Sequence, residues 1–353
     1  MKHWHETAAI LRRVAHAGEA GSQAAIATVV RISGSAYRRP GAKLVVEEDG
    51  TTHGGVSGGC LEADVRAVAL EILRGAPPKL LHYDTGSDDE TVWGLGLGCE
   101  GAIDLWVQRA DARLCTSLVE LVAAEVPHAV VTLLASGRGC VFARGSLLGS
   151  VGSASLDRVL AERAAQLLEQ EESGVVELGE ETAFIDVLRP PPHLAIFGAG
   201  DDAQPLAQLA ALAGFSVTVI DHRPAYLTAG RFPPPAQLLL RRATDGVEGL
   251  ALGRRHFAVV QTHALIHDRD WLKALWPQSI AYLGLLGPRA RKEEVLRQLG
   301  EPDSEKLFAP VGIDIGADGP EQVAVSIVAE MLAVHAGREP GHLRARSRGI
   351  HEP

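Results

Sequence analysis

The sequence is poor in cysteine. Its 353 residues include only four cysteines, and no two of them form a CxxC pair. A chain of this size with so few cysteines is not held together by a disulfide framework. Because thiols stay reduced in the cytoplasm, we expect a cytoplasmic protein.

Long apolar runs and an excess of positive charge are also absent. No stretch approaches the roughly 20 apolar residues of a membrane-spanning helix. The first twenty residues have the pattern of an amphipathic helix rather than that of a secretory signal. The formal net charge is -10, so nothing in the protein attracts nucleic-acid phosphates at long range. We therefore expect neither a membrane nor a nucleic acid as a partner.

The rest of the composition is that of an ordinary globular protein, with 46% hydrophobic and 22% charged residues. The chain is long enough for two domains, and the three prolines at 190–192 form a stiff segment typical of a linker. We predict an α/β domain over residues 1–189, a second domain over 193–336, and a polar tail over 337–353. The segment 112–188 contains no catalytic motif.

The clearest pattern lies between residues 193 and 223. An apolar strand, the turn GAGDDA at 198–203, a helix and a second strand follow one another, and the second strand ends in Asp221. This is the βαβ fingerprint of dinucleotide-binding folds, whose glycines let the backbone approach a phosphate and whose acid, about 20 residues later, accepts a ribose hydroxyl. The pattern predicts a Rossmann-like parallel sheet in the C-terminal domain.

Further predicted strands in this half also end in short turns. Gly198, Asp221, His263 and Gly287 each lie in a turn that follows a predicted strand. In open parallel sheets, ligands bind at the carboxyl ends of the strands. We therefore expect these turns along one edge of the sheet, with Asp314 close to that edge.

Three glycine-rich loops distinguish the predicted N-terminal domain, at residues 34–41, 53–60 and 93–101. They alternate with short strands and a helix, so we expect an α/β domain with a mixed sheet. Glycine has an entropic cost in a folded chain, and a cluster of glycines marks backbone that comes close to another group. Two of the loops contain a cysteine near their ends, Cys60 and Cys99.

Six motifs, in this order, resemble those of the XdhC/CoxI family: GSAYRRPGAKLVV, GGVSGGCLEADV, GLGLGCEG, VIDHRP, YLGLLGPRARK and PVGIDIGADGPEQVAVSIVAEML. The resemblance covers roughly residues 8–110 and 193–336. Two positions depart from the family pattern. The family more often has glycine where this chain has Glu100, and it tends to place a further histidine and aspartate soon after Thr262-His263. Here His267 and Asp268 come only after three apolar residues.

The resemblance implies an accessory protein that matures xanthine dehydrogenase, carbon monoxide dehydrogenase and related molybdenum hydroxylases. Members of the family bind molybdenum cofactor, a pterin dithiolene with a phosphate. They stabilise it, present it for sulfuration by a cysteine desulfurase, and deliver it to the apo molybdenum hydroxylase. We therefore expect a chaperone rather than an enzyme that turns over a substrate. Since cyclic dimers dominate among oligomers, we also expect a homodimer.

The N-terminal motifs contain residues that suit this task. Arg38 and Arg39 are expected to hold a phosphate through charge-assisted hydrogen bonds. Cys60, preceded by Gly58 and Gly59, stands just before a predicted helix, whose dipole favours a thiolate. A thiolate is a soft ligand, so we expect Cys60 to contact molybdenum or to take part in sulfur transfer.

The remaining candidates for cofactor binding are a second cysteine and five residues of the Rossmann half: Cys99, Gly198, Gly200, Asp221, His263 and Asp314. Each candidate also has a structural interpretation. A free cysteine is often a small buried hydrophobe, an arginine in a loop is often a solvated charge, and a histidine at the end of a strand is often hydrogen-bonded within the protein.

Two other classes of function remain open from the residues alone. An NAD(P)-dependent oxidoreductase would use the Rossmann half, and Asp221 would favour the unphosphorylated ribose, although no hydride-site acid is evident. A nucleotide-binding regulator or nucleotidyltransferase is the third hypothesis, since molybdopterin can carry a cytidine. A transferase needs paired acids for Mg²⁺, and the sequence shows none clearly.

Overall fold

The structure is a computed structural model, and it describes the following residues: 4–34, 37–84, 101–301 and 305–346. The chain divides into two compact units, Met1–Pro190 and Pro191–Pro353. We call them unit 1 and unit 2. Within the described ranges, no helix combines the length and the apolarity that a membrane crossing requires.

The first sheet of unit 1 has five strands, and the described residues of the same part of the chain also form two helices. The strands are β1 (Ala24–Gly34), β2 (Lys43–Glu47), β3 (Thr52–Gly54), β4 (Lys79–Asp84) and β5 (Gly101–Arg109), and the helices are α1 (Trp4–Glu19) and α2 (Glu62–Leu73). The strand order is β3-β2-β1-β5-β4. Helix α2 buries Val65, Ala69 and Ile72 against this sheet, because residues at that spacing share one helix face.

The second sheet of unit 1 also has five strands. Its elements are α3 (Ala112–Ala123), β6 (His128–Leu133), β7 (Gly139–Ala143), β8 (Ser146–Leu148), α4 (Ala154–Gln170), β9 (Gly174–Leu178) and β10 (Glu181–Leu188). The strand order is β8-β7-β6-β10-β9. We expected a mixed sheet, whereas the strand pairs of both sheets are antiparallel. Loops of two to five residues join four of these eight pairs, and parallel neighbours would need long crossovers.

A buried ion pair connects the two sheets of unit 1. Lys43 of β2 is bonded to Asp186 of β10, and its ammonium also donates to the carbonyl of Gly41 at 2.8 Å. Lys43 is 9% exposed and Asp186 is 3% exposed. Gly41 has a φ of +94°, and a Cβ at this position would collide with the Asp186 carboxylate. The glycine therefore permits the close approach of the two sheets.

Unit 2 contains one parallel sheet of six strands with helices between them. Its strands and α-helices are β11 (His193–Phe197), α5 (Ala203–Leu212), β12 (Ser216–Asp221), β13 (Gln237–Leu240), β14 (His256–Val260), α6 (Leu265–Leu275), β15 (Tyr282–Leu285), α7 (Arg289–Leu299), β16 (Leu307–Phe308) and α8 (Pro320–His335). The described residues of unit 2 also form three short 3-10 helices, at Pro224–Tyr226, Ala243–Asp245 and Leu343–Ala345. The predicted α/β class and the predicted parallel sheet are confirmed.

The strand order of this sheet is β13-β12-β11-β14-β15-β16. It is the doubly wound order of dinucleotide-binding folds, and the direction of winding reverses between β11 and β14. Leu194 and Ile196 face the core shared with α5 and α8, whereas Ala195 and Phe197 face the core shared with α6 and α7. Because alternate residues face opposite sides, covering both sides requires the continuous apolar run of β11.

Candidate functional site

A short loop before α2 presents Cys60. Val56 and Leu61, near the two ends of the loop, are 0% and 1% exposed and belong to the core under the first sheet. Gly58 and Gly59 are exposed, and a Cβ added at either would meet no atom of the described residues within 4 Å. Cys60 is half-buried. The loop is therefore fixed at both ends and open beside the cysteine.

The hydroxyl of Ser57 organises this loop from inside. It accepts hydrogen bonds from the amides of Gly59, Cys60 and Leu61, each at 3.1 Å. The Cys60 thiol donates to the same oxygen at 3.4 Å, and Ser57 donates its own proton to Glu62 Oε2 at 2.5 Å. The amides ahead of α2, which we expected to act on the cysteine sulfur, are thus directed at Ser57.

Glu62, the first residue of α2, holds the other side of the loop. Its Oε1 accepts the amides of Val56 at 3.1 Å and of Ser57 at 2.9 Å. Burial raises the pKa of this carboxyl, but the hydrogen bonds from Ser57 outweigh burial and leave the pKa below its ordinary value. Glu62 is therefore a charged acceptor at neutral pH.

Arg38 lies against the same loop and is already paired. Its two terminal nitrogens donate to the two carboxylate oxygens of Glu6, each at 3.0 Å. A Cβ on Gly55 would stand 3.3 Å from Arg38 Nη2 and 3.4 Å from Glu62 Oε1, so both side chains flank this glycine. The structure thus brings Arg38 to the Cys60 loop, but as the partner of a carboxylate rather than as a free phosphate donor.

Arg39 differs from its neighbour. It is half-buried, and its carbonyl accepts the amide of Ala42 at 3.0 Å. Within the described residues, no acceptor for the Arg39 guanidinium is found. Of the two predicted phosphate donors, Arg38 is therefore the one that has a carboxylate partner among the described residues.

Each of the other cysteines is either buried or outside the described residues. Cys115 and Cys140 are buried in apolar clusters, and burial raises the pKa of each thiol to about 12. A thiol with so high a pKa is a poor nucleophile and a poor ligand at neutral pH. Cys99 lies outside the described residues.

In unit 2, the predicted glycine turn connects β11 to α5 and packs against the end of β14. Gly198 has a φ of +120°, and a Cβ there would lie 2.8 Å from the carbonyl carbon of Gln261 and 3.0 Å from the Cα of Thr262. A Cβ on Gly200 would lie 2.7 Å from Asp202 Oδ1. Backbone contacts and a left-handed φ thus already demand glycine at position 198, whereas at position 200 the only close contact is with the Asp202 side chain among the described residues.

Asp221 ends β12 and is 4% exposed. Its Oδ2 accepts the amide of Ala199 at 2.7 Å and Arg223 Nη2 at 2.8 Å, while its Oδ1 accepts the amide and Nε of Arg223, both at 2.9 Å. Burial raises its pKa, but the Arg223 side chain and the Ala199 amide outweigh burial and lower the pKa to about 2. In this structure the carboxylate expected to accept a ribose hydroxyl bonds to the protein instead.

Two arginines and a tyrosine lie next to this turn. The guanidinium carbons of Arg223 and Arg231 are 3.9 and 5.0 Å from the centroid of the Tyr226 ring. Arg231 also donates to the carbonyl of Ala199 at 3.1 Å and to Asp201 at 2.8 Å. Positive charge therefore offsets the acidic residues of the glycine turn, and sequence reasoning did not identify this cluster.

His263 lies at the winding reversal. It follows β14 with a left-handed φ of +59°, and its Nε2 lies 2.8 Å from Oδ2 of Asp202, which follows β11. The fully buried Asp268 supports the turn, because its Oδ1 accepts the amide and hydroxyl of Thr262 at 3.0 and 2.6 Å and its Oδ2 lies 2.9 Å from Arg291 Nε. Asp268 comes later in the chain than the family pattern places its aspartate, and it supports the turn that carries His263 through its hydrogen bonds with Thr262.

The last loop of unit 2 places Asp314 in solvent, where its Oδ1 accepts the amide of Gly316 at 3.2 Å. Sequence reasoning missed Glu330, which accepts the Tyr282 hydroxyl and the Gly312 amide. It also missed Ser57 and Glu62. A serine before a helix and an acid in its first turn are the available signals for such a pair, whereas nothing local marks Glu330.

Two further features concern the binding of metals and of small ligands. Across the described residues, no three His, Cys, Asp or Glu side chains are grouped closely enough to hold a metal ion. A groove of about 330 Å³ is lined by α6, α7 and the residues after them, including Lys273, Trp276 and Gln298. Several of these residues lie toward the carboxyl ends of the helices, away from the edge of the sheet where Gly198 and His263 are found.

Comparison with known proteins identifies the family. The model of the XdhC and CoxI family matches residues 17–84, and the model of the XdhC Rossmann domain matches residues 194–331. A probable xanthine dehydrogenase subunit of Bacillus subtilis (strain 168) is 33% identical over 314 residues, which are 88% of this chain and 92% of the relative. The chain belongs to the XdhC and CoxI family.

Two other proteins resemble this XdhC/CoxI-family chain over nearly its whole length. PaoD of Escherichia coli (strain K12), a molybdenum cofactor insertion chaperone, is 28% identical over 96% of this chain and 94% of its own. The crystal structure of a xanthine dehydrogenase from Bacillus halodurans superposes with a TM-score of 0.79 at 28% identity, covering 95% of this chain and 97% of that one. The predicted family and fold are both confirmed.

Proposed function

We propose that this chain is an accessory protein that binds molybdenum cofactor, stabilises it, and delivers it to an apo molybdenum hydroxylase of the xanthine dehydrogenase type. The observation that carries the proposal is the Cys60 loop, a half-buried thiol beside two open glycines, within a region matched by the XdhC and CoxI family model. Likeness to PaoD over 96% of the chain supports the same role.

The residues of the loop fit the chemistry of the cofactor. A cysteine sulfur is a soft donor, which suits molybdenum and sulfur, and no side chain of the described residues fills the space beside Gly58 and Gly59. Cys60 would hold the metal end, and Arg39 would donate to the phosphate. When bound, the cofactor would supply the molybdenum centre of the recipient enzyme, while these residues bind it and shield it.

We also propose partners, an oligomeric state and a location for this chain. We include presentation of the cofactor to a cysteine desulfurase, assembly as a homodimer, and a cytoplasmic location, all of which rest on the family resemblance and the composition. We propose that the chain is a carrier rather than an enzyme. It should therefore bind the cofactor without catalysing a reaction.

Nucleotide binding by unit 2 is the second candidate, either by NAD(P) in an oxidoreductase or by another nucleotide in a regulator. The doubly wound strand order and the turn at Gly198 and Gly200 favour it. The bonded state of Asp221 opposes recognition of a ribose, because both of its oxygens already have donors. We propose that His263 and Asp314 contact such a ligand if one binds at the carboxyl edge of the sheet.

Cofactor binding by the purified protein tests the main proposal. Wild type and Cys60→Ala would be incubated with molybdenum cofactor, passed through gel filtration, and assayed for pterin fluorescence. We expect stoichiometric pterin on the wild type and at least a tenfold loss on Cys60→Ala. Cys140→Ala, which removes a buried thiol, is the matched control and should retain the pterin.

The pterin content of the two proteins distinguishes a cofactor site in the Cys60 loop, a site elsewhere in the chain, and no cofactor binding. Pterin retained by Cys60→Ala would keep the carrier role but move the site away from this loop. A folded wild-type protein without pterin would contradict the proposal, and a titration with nicotinamide nucleotides would then test the second candidate.

A further inference from the structure

The loop that carries Cys60 depends on a chain of three hydrogen-bonded side chains. The Cys60 thiol donates to the Ser57 hydroxyl, and the Ser57 hydroxyl donates to the Glu62 carboxylate. A hydroxyl has one donor and two lone pairs. Because the donor is committed to Glu62, the two lone pairs of Ser57 face the other side, where the thiol and the three amides of residues 59–61 share them.

Glu62 is itself held in one orientation. Its second oxygen accepts two amides of the loop, from Val56 and Ser57, and its position in the first turn of α2 favours a negative charge. A charged acceptor forms stronger hydrogen bonds than a neutral one. The carboxylate therefore determines which way the Ser57 proton points.

We propose that Ser57 and Glu62 are positioning residues for Cys60, which hold the loop in one conformation and keep the cysteine thiol as a donor to Ser57. The inference deepens the proposed function and rests on it where cofactor binding is concerned. Neither residue needs to touch the cofactor. Their role is to present the sulfur beside the two open glycines in a fixed orientation, because binding costs less when the site is preorganised.

The direct test is the rate at which iodoacetamide alkylates Cys60, measured by peptide mass spectrometry so that the other cysteines do not interfere. Ser57→Ala removes the acceptor of the thiol and releases three amides, and Glu62→Gln removes the charged acceptor that orients the hydroxyl. We expect each change to raise the Cys60 alkylation rate at least fivefold. Ser57→Thr keeps a hydroxyl and should stay within twofold of the wild type.

Glu71→Gln is the matched control for Glu62→Gln, since Glu71 is an exposed glutamate of the same helix. It should leave the alkylation rate unchanged. Thermal melting of every variant checks that the protein is folded. If Ser57→Ala unfolds, Glu62→Gln decides the question, together with amide hydrogen exchange at residues 59–61, which should be faster in this variant than in the wild type.

Alkylation needs no cofactor, so its rate tests the positioning role whether or not the protein binds pterin. Alkylation rates within twofold of the wild type in folded Ser57→Ala and Glu62→Gln would overturn the positioning role. Pterin binding gives the second readout, and we expect about tenfold weaker binding in both variants. Faster alkylation of Cys60 in Ser57→Ala and Glu62→Gln would support the positioning of the thiol. If Cys60→Ala nevertheless bound pterin like the wild type, the assignment of Cys60 to the cofactor would be contradicted.

Discussion

Asp221 illustrates how a residue at a ligand-binding position can serve the protein itself. It stands where dinucleotide-binding folds place the acid for ribose, but its four hydrogen bonds join the end of β12 to the glycine turn and to Arg223. A carboxylate that accepts several donors is stabilised in its charged form. Its contribution to folding should therefore depend on pH.

We predict that Asp221 makes unit 2 less stable in acid. Its pKa is about 2 in the folded protein, against an ordinary value of 3.8, so its stabilisation is present above about pH 4 and is lost as the pH falls through 2. The difference corresponds to about 2 kcal/mol. Urea unfolding of the wild type and Asp221→Asn between pH 7 and pH 2 would measure it.

The variant should be less stable at pH 7 and should lose this part of the pH dependence. Asp314→Asn, at an exposed carboxylate, is the control and should unfold like the wild type. Parallel pH profiles for the wild type and Asp221→Asn would contradict the prediction.

At the scale of elements, the loops before α2 and α5 share one feature. In both, protein side chains accept loop amides that would otherwise be free to bind a ligand. Ser57 accepts those ahead of α2, and Asp221 accepts one in the turn before α5. A helix start is a good anion site only if its amides are free. A glycine motif before a helix is therefore insufficient evidence for a bound phosphate.

The turn before α5 is also constrained by packing. Gly198→Ala should destabilise unit 2 by roughly 3 kcal/mol, because it combines an unfavourable φ with overlap against backbone atoms of Gln261. Gly300→Ala is the control, since Gly300 has a positive φ of +70° but no atom of the described residues within 4 Å of its missing Cβ, and it should cost roughly 1 kcal/mol. Chemical denaturation of both variants would compare the two, and equal losses would show that φ alone matters.

At the scale of the whole molecule, the two units are built on different principles. Unit 2 covers both faces of one parallel sheet with helices. Unit 1 joins two antiparallel sheets, and the contact between them includes the buried Lys43–Asp186 pair. A buried ion pair adds little net stability, but breaking it by removing one partner is costly because the other charge stays buried.

Lys43→Met should therefore destabilise unit 1 by roughly 3 to 5 kcal/mol, since it leaves the Asp186 carboxylate without its cation. Lys43→Met combined with Asp186→Leu should recover most of this loss, because no charge remains buried. A double-mutant cycle of unfolding free energies would measure the coupling. A loss below about 1 kcal/mol in the single variant would mean that the pair contributes little to the joining of the sheets.

Elements with strong local patterns could be predicted from the amino-acid sequence. The turn at 198–203, the strands beside it and the Rossmann-like sheet followed from apolar periodicity and glycine spacing, and the long motifs identified the family. These features are local, so they can be recognised without knowing which parts of the chain meet. Helix α3 was not recognised although it carries local signals, an Asp111 cap and buried residues at helical spacing. Strand β4 was not recognised either, and it pairs with β5, which begins 17 residues after β4 ends.

How the candidate residues are used became visible only in the folded protein. Arg38 meets Glu6, Asp221 meets Ala199, and Asp202 meets His263 through contacts that link separate elements. Polar side chains take the nearest suitable partner once the chain has folded, because an unpaired buried polar group is costly. Which partner is nearest depends on the whole packing and not on local sequence, so the residue types were evident in advance while their bonds were not.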